Sequence, residues 1–263
     1  MESVTKGGRT ISYHRAGSGP GLVLLHGGWS DGREWRYQLD GLSADFDVIA
    51  WDAPGCGGSD DPPGDANLAT YADAVADLVE ALGLDQPHLC GLSFGAGLAI
   101  AVYQRHPELV RSLVLASAYA GWKGSLPAAE VQARLHRVKS EIHRPPETWV
   151  EDYLPGFFAG PVAPEVLHLV RSTMLEVRPA GTLPMLTAFA EADLREVLPT
   201  IAVPTLLLYG TEDVRSPRAV ADALHAAIPH SELVLLPGVG HVSNLEAPEA
   251  FNAEVRRFLR SMR

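Results

Sequence analysis

Apolar runs of strand length recur along the chain, and between them lie segments with helical spacing. Val4-Thr5 and Arg9 to Tyr13, joined through Lys6-Gly7-Gly8, read as an antiparallel hairpin at a sheet edge. Leu22 to Leu25, Phe46 to Trp51, Pro87 to Cys90, Leu113 to Ala116, Pro204 to Tyr209 and Ser231 to Leu236 are short and almost continuously apolar, the signature of strands buried on both faces. Between them, Trp35 to Leu42 reads as a short helix. Tyr71 to Leu82 repeats Ala74, Leu78 and Leu82 on one face, with Thr70 as its N-cap and Gly83 as its stop. Ala96 to Arg105 holds nothing that would break a helix. Strands that alternate with helices in this way predict a mostly parallel central sheet with helices on both faces, an α/β fold.

The rhythm stops after Ala120 and resumes at Val203. From Gly121 to about Pro184 the pattern is helical in pieces, broken by Pro127, Pro145-Pro146, Pro155, Pro161, Pro164 and Pro179, and it holds Trp122, Trp149, Tyr153, Phe157 and Phe158. We therefore expect a core made of residues 1–120 and 185–263, with a strand-free helical segment over 121–184 inserted after the sixth strand.

Chemistry enters at Gly91-Leu92-Ser93-Phe94-Gly95, between a strand and a helix. A serine at that junction lies on a sharp turn that only flanking glycines allow, with its hydroxyl exposed and a helix N-terminus behind it. Such a serine needs a base, and the base needs an orienting group. His241 follows the last strand on a loop opened by Pro237-Gly238-Val239-Gly240, and Asp213 follows the preceding strand in Gly210-Thr211-Glu212-Asp213. Glu212, its neighbour, is the alternative acid. His88 begins a strand, His106, His225 and His230 fall near helix ends, His136, His143 and His168 lie in the inserted segment, and His26 is at a loop read as a hydrogen-bonding support.

With these residues in place the chain resembles the α/β-hydrolase fold superfamily from end to end. The order Ser93, Asp213, His241 is that family's. His26-Gly27-Gly28-Trp29 resembles its oxyanion loop and Asp52-Ala53-Pro54-Gly55-Cys56-Gly57-Gly58-Ser59 its D-x-x-G-x-G-x-S turn; Gly240-His241 with Leu245-Glu246-Ala247-Pro248 resembles its histidine loop. The resemblance implies a serine hydrolase that cleaves a carboxylic ester or lactone through an acyl-enzyme. It also implies two backbone donors for the oxyanion, Phe94 and Gly28, with Trp29 the alternative to Gly28. The resemblance makes the insertion over 121–184 a helical cap. Trp29, Trp149, Tyr153, Phe157 and Phe158 are the candidate substrate-binding residues, and packing of the cap is the competing explanation for the last four.

The same triad and a similar cap serve carbon–carbon hydrolases of β-diketones, which stay open as an alternative, as does a non-catalytic receptor for a small ligand. Ser93 stands where epoxide hydrolases and haloalkane dehalogenases carry Asp, which argues against both. The His-Gly-Gly-Pro-Gly loop of proline iminopeptidases is interrupted here by Trp29-Ser30, so a peptidase is a distant third reading.

Composition adjusts this picture at the margins. In 263 residues, 46% hydrophobic and 20% charged, the formal charge is −11. That charge disfavours nucleic acid and anionic membrane surfaces, and strongly anionic substrates too unless the site differs from the whole. No apolar run approaches the roughly 20 residues of a membrane helix. No secretory signal opens the chain, so a cytoplasmic location is the expectation. Two cysteines, Cys56 and Cys90, are read as free thiols. No histidine pair has metal-ligand spacing with carboxylates, so no metal or cofactor is expected. The expected partner is a small, apolar ester or lactone.

Overall fold

A computed structural model describes residues 1–262. Its strands are β1 (Glu2–Lys6), β2 (Arg9–Gly17), β3 (Gly21–Leu25), β4 (Asp47–Trp51), β5 (His88–Leu92), β6 (Ser112–Ala116), β7 (Thr205–Gly210) and β8 (Glu232–Leu236). They form one sheet in the order β1-β2-β4-β3-β5-β6-β7-β8. β1 and β2 are antiparallel, β2 is antiparallel to β4, and every pairing from β4 to β8 is parallel. The continuous apolar runs are explained by position: β4, β5, β6 and β7 are buried at every residue. β8, at the edge, is mostly half-buried.

The helices are α1 (Arg36–Leu42), α2 (Leu68–Ala81), α3 (Phe94–Arg105), α4 (Trp122–Ser125), α5 (Ala128–Glu141), α6 (Pro164–Leu175), α7 (Pro179–Glu191), α8 (Arg218–Ala227), α9 (Ser243–Glu246) and α10 (Pro248–Arg260). α2 begins earlier than its apolar repeat suggested. Asn67 is its N-cap, accepting from the Thr70 N–H at 3.2 Å while the Thr70 hydroxyl accepts from the Asn67 N–H at 3.2 Å. Thr70 is thus the far half of a capping box, not the cap itself. Among the described residues no helix is long and apolar enough to cross a membrane.

Between β6 and β7 the chain forms α4 to α7 and four short 3-10 turns, with no strand. Pro164 and Pro179 open α6 and α7 from their first turns, where a missing N–H costs nothing. α7 continues past residue 184 to Glu191 with Pro184 inside it, so the helix straddles the boundary expected from sequence.

The topology fixes where a site can form. After β3 the chain moves to β4 on one side, then returns to β5 on the other. The crevice at the carboxyl ends of β3 and β5 is therefore a topological switch point, where open α/β sheets bind ligands. The loop bearing His26 to Trp29 and the turn bearing Ser93 both open onto it.

Candidate active site

Ser93 closes the turn between β5 and α3 with φ 54° and ψ −108°, a strained backbone for a residue with a Cβ. The strain is held by packing that admits no side chain at either flanking glycine. A Cβ on Gly91 would meet backbone atoms of Gly95 at 2.2 Å, and one on Gly95 would meet the Leu25 carbonyl oxygen at 1.9 Å. The Ser93 N–H is tied to the Ala116 carbonyl at 2.9 Å. The turn is thus locked between β3 and β6, with the hydroxyl facing a cavity.

His241 meets Asp213 in that cavity's wall. Its Nδ1 lies 3.0 and 2.9 Å from the two carboxylate oxygens of Asp213, and both side chains are buried. Asp213 Oδ1 also accepts the N–H groups of Arg215 at 2.9 Å and Ser216 at 2.8 Å. Burial pushes the Asp213 carboxyl up, but the His241 ring and the Ser216 N–H outweigh it and hold it below the ordinary carboxylate value. Glu212 points elsewhere: it is exposed, and its carboxylate lies 3.2 Å from the Thr211 hydroxyl. His241 is fixed through its backbone as well, its N–H donating to Phe157 O at 2.9 Å and its carbonyl accepting from the Ser117 hydroxyl at 2.9 Å. No hydrogen bond joins Ser93 to the His241 ring here; both line the same cavity, and this link is often long without substrate.

His26 is fully engaged. Its Nε2 accepts from the Ala53 N–H at 3.0 Å, which leaves Nδ1 to donate to Gly27 O at 2.8 Å. Burial drives its pKa down, consistent with a neutral strut between two loops. Asp52 is likewise structural, accepting from the N–H groups of Gly32 and Gly58, each at 2.8 Å. On the loop after β3, Trp29 carries φ 72°. Among the described residues, no backbone hydrogen bond outside regular elements uses the N–H of Gly28, Trp29 or Phe94, which leaves these donors available at the cavity.

The cavity is small, about 40 Å3, where one water needs roughly 10–15 Å3 on the same measure. Of the aromatics expected to line it, Trp29 and Phe157 do. Trp149 and Tyr153 instead pack against the outer face of Trp29, with ring centroids 5.1 and 5.0 Å away. Tyr153 reaches an adjoining hollow that shares Trp29, Trp122 and Arg215 with the first. Phe158 is half-buried against the core and lines neither. The wall is completed by residues that sequence reasoning did not select as substrate contacts: Trp122, Val170, Met174, Leu186 and Phe189. For the last four the signal was the apolar face of α6 and α7, which packing alone would also explain; Trp122 opens α4.

Two ionisable side chains at the cavity were also missed. Glu34 is buried and accepts from the Gly27 N–H at 2.8 Å; burial pushes its carboxyl up to about 8, against the pull of that N–H. Arg215 lines the cavity beside His241.

Residues 22–254 match the model of the alpha/beta hydrolase family. The AB hydrolase superfamily protein YisY of Bacillus subtilis is 31% identical over 261 residues, covering 96% of each chain. Among solved structures, a thermophilic esterase from Thermogutta terrifontis superposes with a TM-score of 0.91 at 28% identity, covering 100% of this chain and 99% of its own. The enol-lactonase from Burkholderia xenovorans LB400 superposes with a TM-score of 0.86 at 25% identity, covering 98% and 100%.

Proposed function

Because the chain belongs to the alpha/beta hydrolase family, we propose that it is a serine hydrolase that cleaves a small carboxylic ester or lactone through an acyl-enzyme. The observation that carries this reading is the convergence, on one cavity, of a serine on a strained strand-to-helix turn and a buried histidine–carboxylate pair. The similarity to an esterase and an enol-lactonase supports the substrate class.

In this reading Ser93 attacks the carbonyl carbon while His241 takes its proton at Nε2. Asp213, bound at Nδ1, keeps the ring in the tautomer that leaves Nε2 free and balances the imidazolium that forms. The negative oxygen of the tetrahedral intermediate is received by the Phe94 N–H, at the N-terminus of α3, and by Gly28 or Trp29 across the crevice. His241 returns the proton to the leaving alcohol. It then deprotonates the water that releases the acid and restores Ser93. The segment over 121–184 acts as a cap, covering the cavity and shaping the acyl or alcohol site.

The test is the rate of p-nitrophenyl acetate and butyrate hydrolysis by the wild-type chain and by Ser93→Ala. Loss of activity on the order of 10³–10⁶ in kcat is expected. Near-wild-type turnover by pure Ser93→Ala protein would remove the assignment.

A further inference from the structure

Arg215 sits on the loop between β7 and α8, just after Asp213. Its backbone is committed to the loop: the N–H donates to Asp213 Oδ1, and the carbonyl accepts from the Tyr119 hydroxyl and, at 2.9 Å, from Arg134 Nη2. The side chain is partly buried and lies against aromatic faces, its Cζ 4.9 Å from the Phe157 ring centroid and 6.0 Å from that of Tyr153. It lines the cavity that contains Ser93 and His241.

What it lacks is an anion. Neighbouring arginines are matched, Arg134 with Glu130 and Arg137 with Glu141. Among the described residues no carboxylate forms an ion pair with the Arg215 guanidinium, and no acceptor takes a hydrogen bond from it. The nearby Asp213 spends its oxygens on His241 and two backbone N–H groups. Burial works against the charged guanidinium and Arg134 adds repulsion, which the attraction of Asp213 offsets only in part. Yet a guanidinium keeps its proton at any working pH. A partly dehydrated cation with its donors unmatched is poorly solvated until an anion arrives. Its planar fork suits the two oxygens of a carboxylate, and the aromatic faces hold it ready for that contact.

We infer that the preferred substrates carry a carboxylate in addition to the bond that is cleaved, and that Arg215 binds it. This inference rests on the serine hydrolase reading and narrows its substrate class. It departs from the wholly apolar ester that the sequence suggests. The chain's charge of −11 repels anions at long range, so an anionic substrate requires a local cation, and Arg215 supplies one at the cavity.

The experiment measures kcat/KM for two anionic series against neutral esters of matched length. One series carries the carboxylate on the acyl arm (methyl hydrogen succinate, glutarate and adipate), the other on the alcohol arm (O-acetyl glycolate and lactate). The wild-type chain is expected to favour at least one anionic series by about tenfold or more. Arg215→Met is expected to reduce that preference ten- to hundredfold, the range for a hydrogen bond between charged groups, and Arg215→Lys to restore part of it. Melting temperature and fluorophosphonate labelling of Ser93 check that each variant is folded. If Arg215→Met does not fold, the wild-type preference, together with stronger inhibition by glutarate than by glutaramide, decides the matter. Ser93-dependent turnover of neutral esters with no preference for either anionic series overturns this inference alone, as does an equal loss on both kinds of ester in Arg215→Met. Absence of Ser93-dependent turnover on every ester overturns the serine hydrolase reading instead. Calorimetric titration of glutarate into the wild-type chain and Arg215→Met then decides the carboxylate site by itself, with no heat of binding in the wild-type chain counting against it.

Discussion

The carbonyl oxygen of Phe157 accepts the backbone N–H of His241 at 2.9 Å and that of Val242 at 3.1 Å. Phe157 belongs to the strand-free segment between β6 and β7, whereas His241 follows the last strand. The segment between β6 and β7 and the loop bearing His241 are therefore joined by hydrogen bonds, while the Phe157 ring forms part of the cavity wall. Phe157→Ala keeps the carbonyl and removes the ring. It is expected to change the ratio of kcat/KM between butyrate and acetate esters about ten- to hundredfold, the worth of one apolar wall. Trp149→Ala removes a buried side chain behind Trp29. That variant is expected to lose roughly 3–5 kcal/mol of stability with the ester ratio little changed. Urea unfolding and both ester rates, measured on the two variants, separate these roles; equal ratios in both would make Phe157 a packing residue only.

Glu246 reinforces the same junction. Its Oε1 accepts from the Ala159 N–H at 2.9 Å and its Oε2 from the Gly240 N–H at 2.7 Å. Glu246→Gln places an amide donor against one of these donors. The expected result is a loss of about 1–3 kcal/mol in stability and a lower kcat with little change in KM, because His241 loses its fixed approach. A change confined to KM would mean that the carboxylate serves the substrate side of the cavity instead.

The acid of the proposed triad is distinguishable by substitution. Asp213→Asn is expected to lower kcat by about 10³–10⁴ through loss of tautomer control, while Glu212→Gln, at an exposed carboxylate, leaves it near wild type. The reverse pattern would transfer the role to Glu212. Since the Asp213 pKa is depressed in the folded chain, its stabilising contribution is complete above the unfolded value of 3.8 and is lost only as pH falls through the lower folded value. Any loss of activity between pH 5 and 7 therefore arises from another group.

Glu34 works in the opposite sense. Its folded pKa of about 8 lies above the unfolded 4.5, so between those values the native chain holds a proton that the unfolded chain has released. Stability then declines as pH rises through this window, on the order of 1.4 kcal/mol per pH unit. Glu34→Gln cannot ionise and is expected to lack this decline. Urea unfolding at pH 5, 6, 7 and 8 is expected to show the variant gaining on the wild type as pH rises; parallel profiles would mean that Glu34 is charged at neutrality.

The strands were legible because burial on both faces leaves no place for polar residues, and the apolar runs of β4 to β7 state this directly. The placement of Ser93, Asp213 and His241 at one end of the sheet was legible because each follows a strand there. The cavity wall was not. Trp149, Tyr153, Phe157 and Phe158 look alike in sequence, and their directions depend on short 3-10 turns that no periodicity encodes. Nothing in the sequence pattern singles out Glu34 or Arg215; the loops after β3 and β7 bring them to the cavity. Leu186 and Phe189 entered the cavity because α7 runs through the boundary expected at 184.

Covalent capture tests the central claim most directly. The purified chain is treated with a fluorophosphonate, digested, and the modified residue is located by mass spectrometry. The account predicts one phosphonylated residue, Ser93, with labelling abolished in Ser93→Ala and strongly slowed in Asp213→Asn. Labelling at another serine, or an unmodified Ser93 in a folded chain, would contradict it.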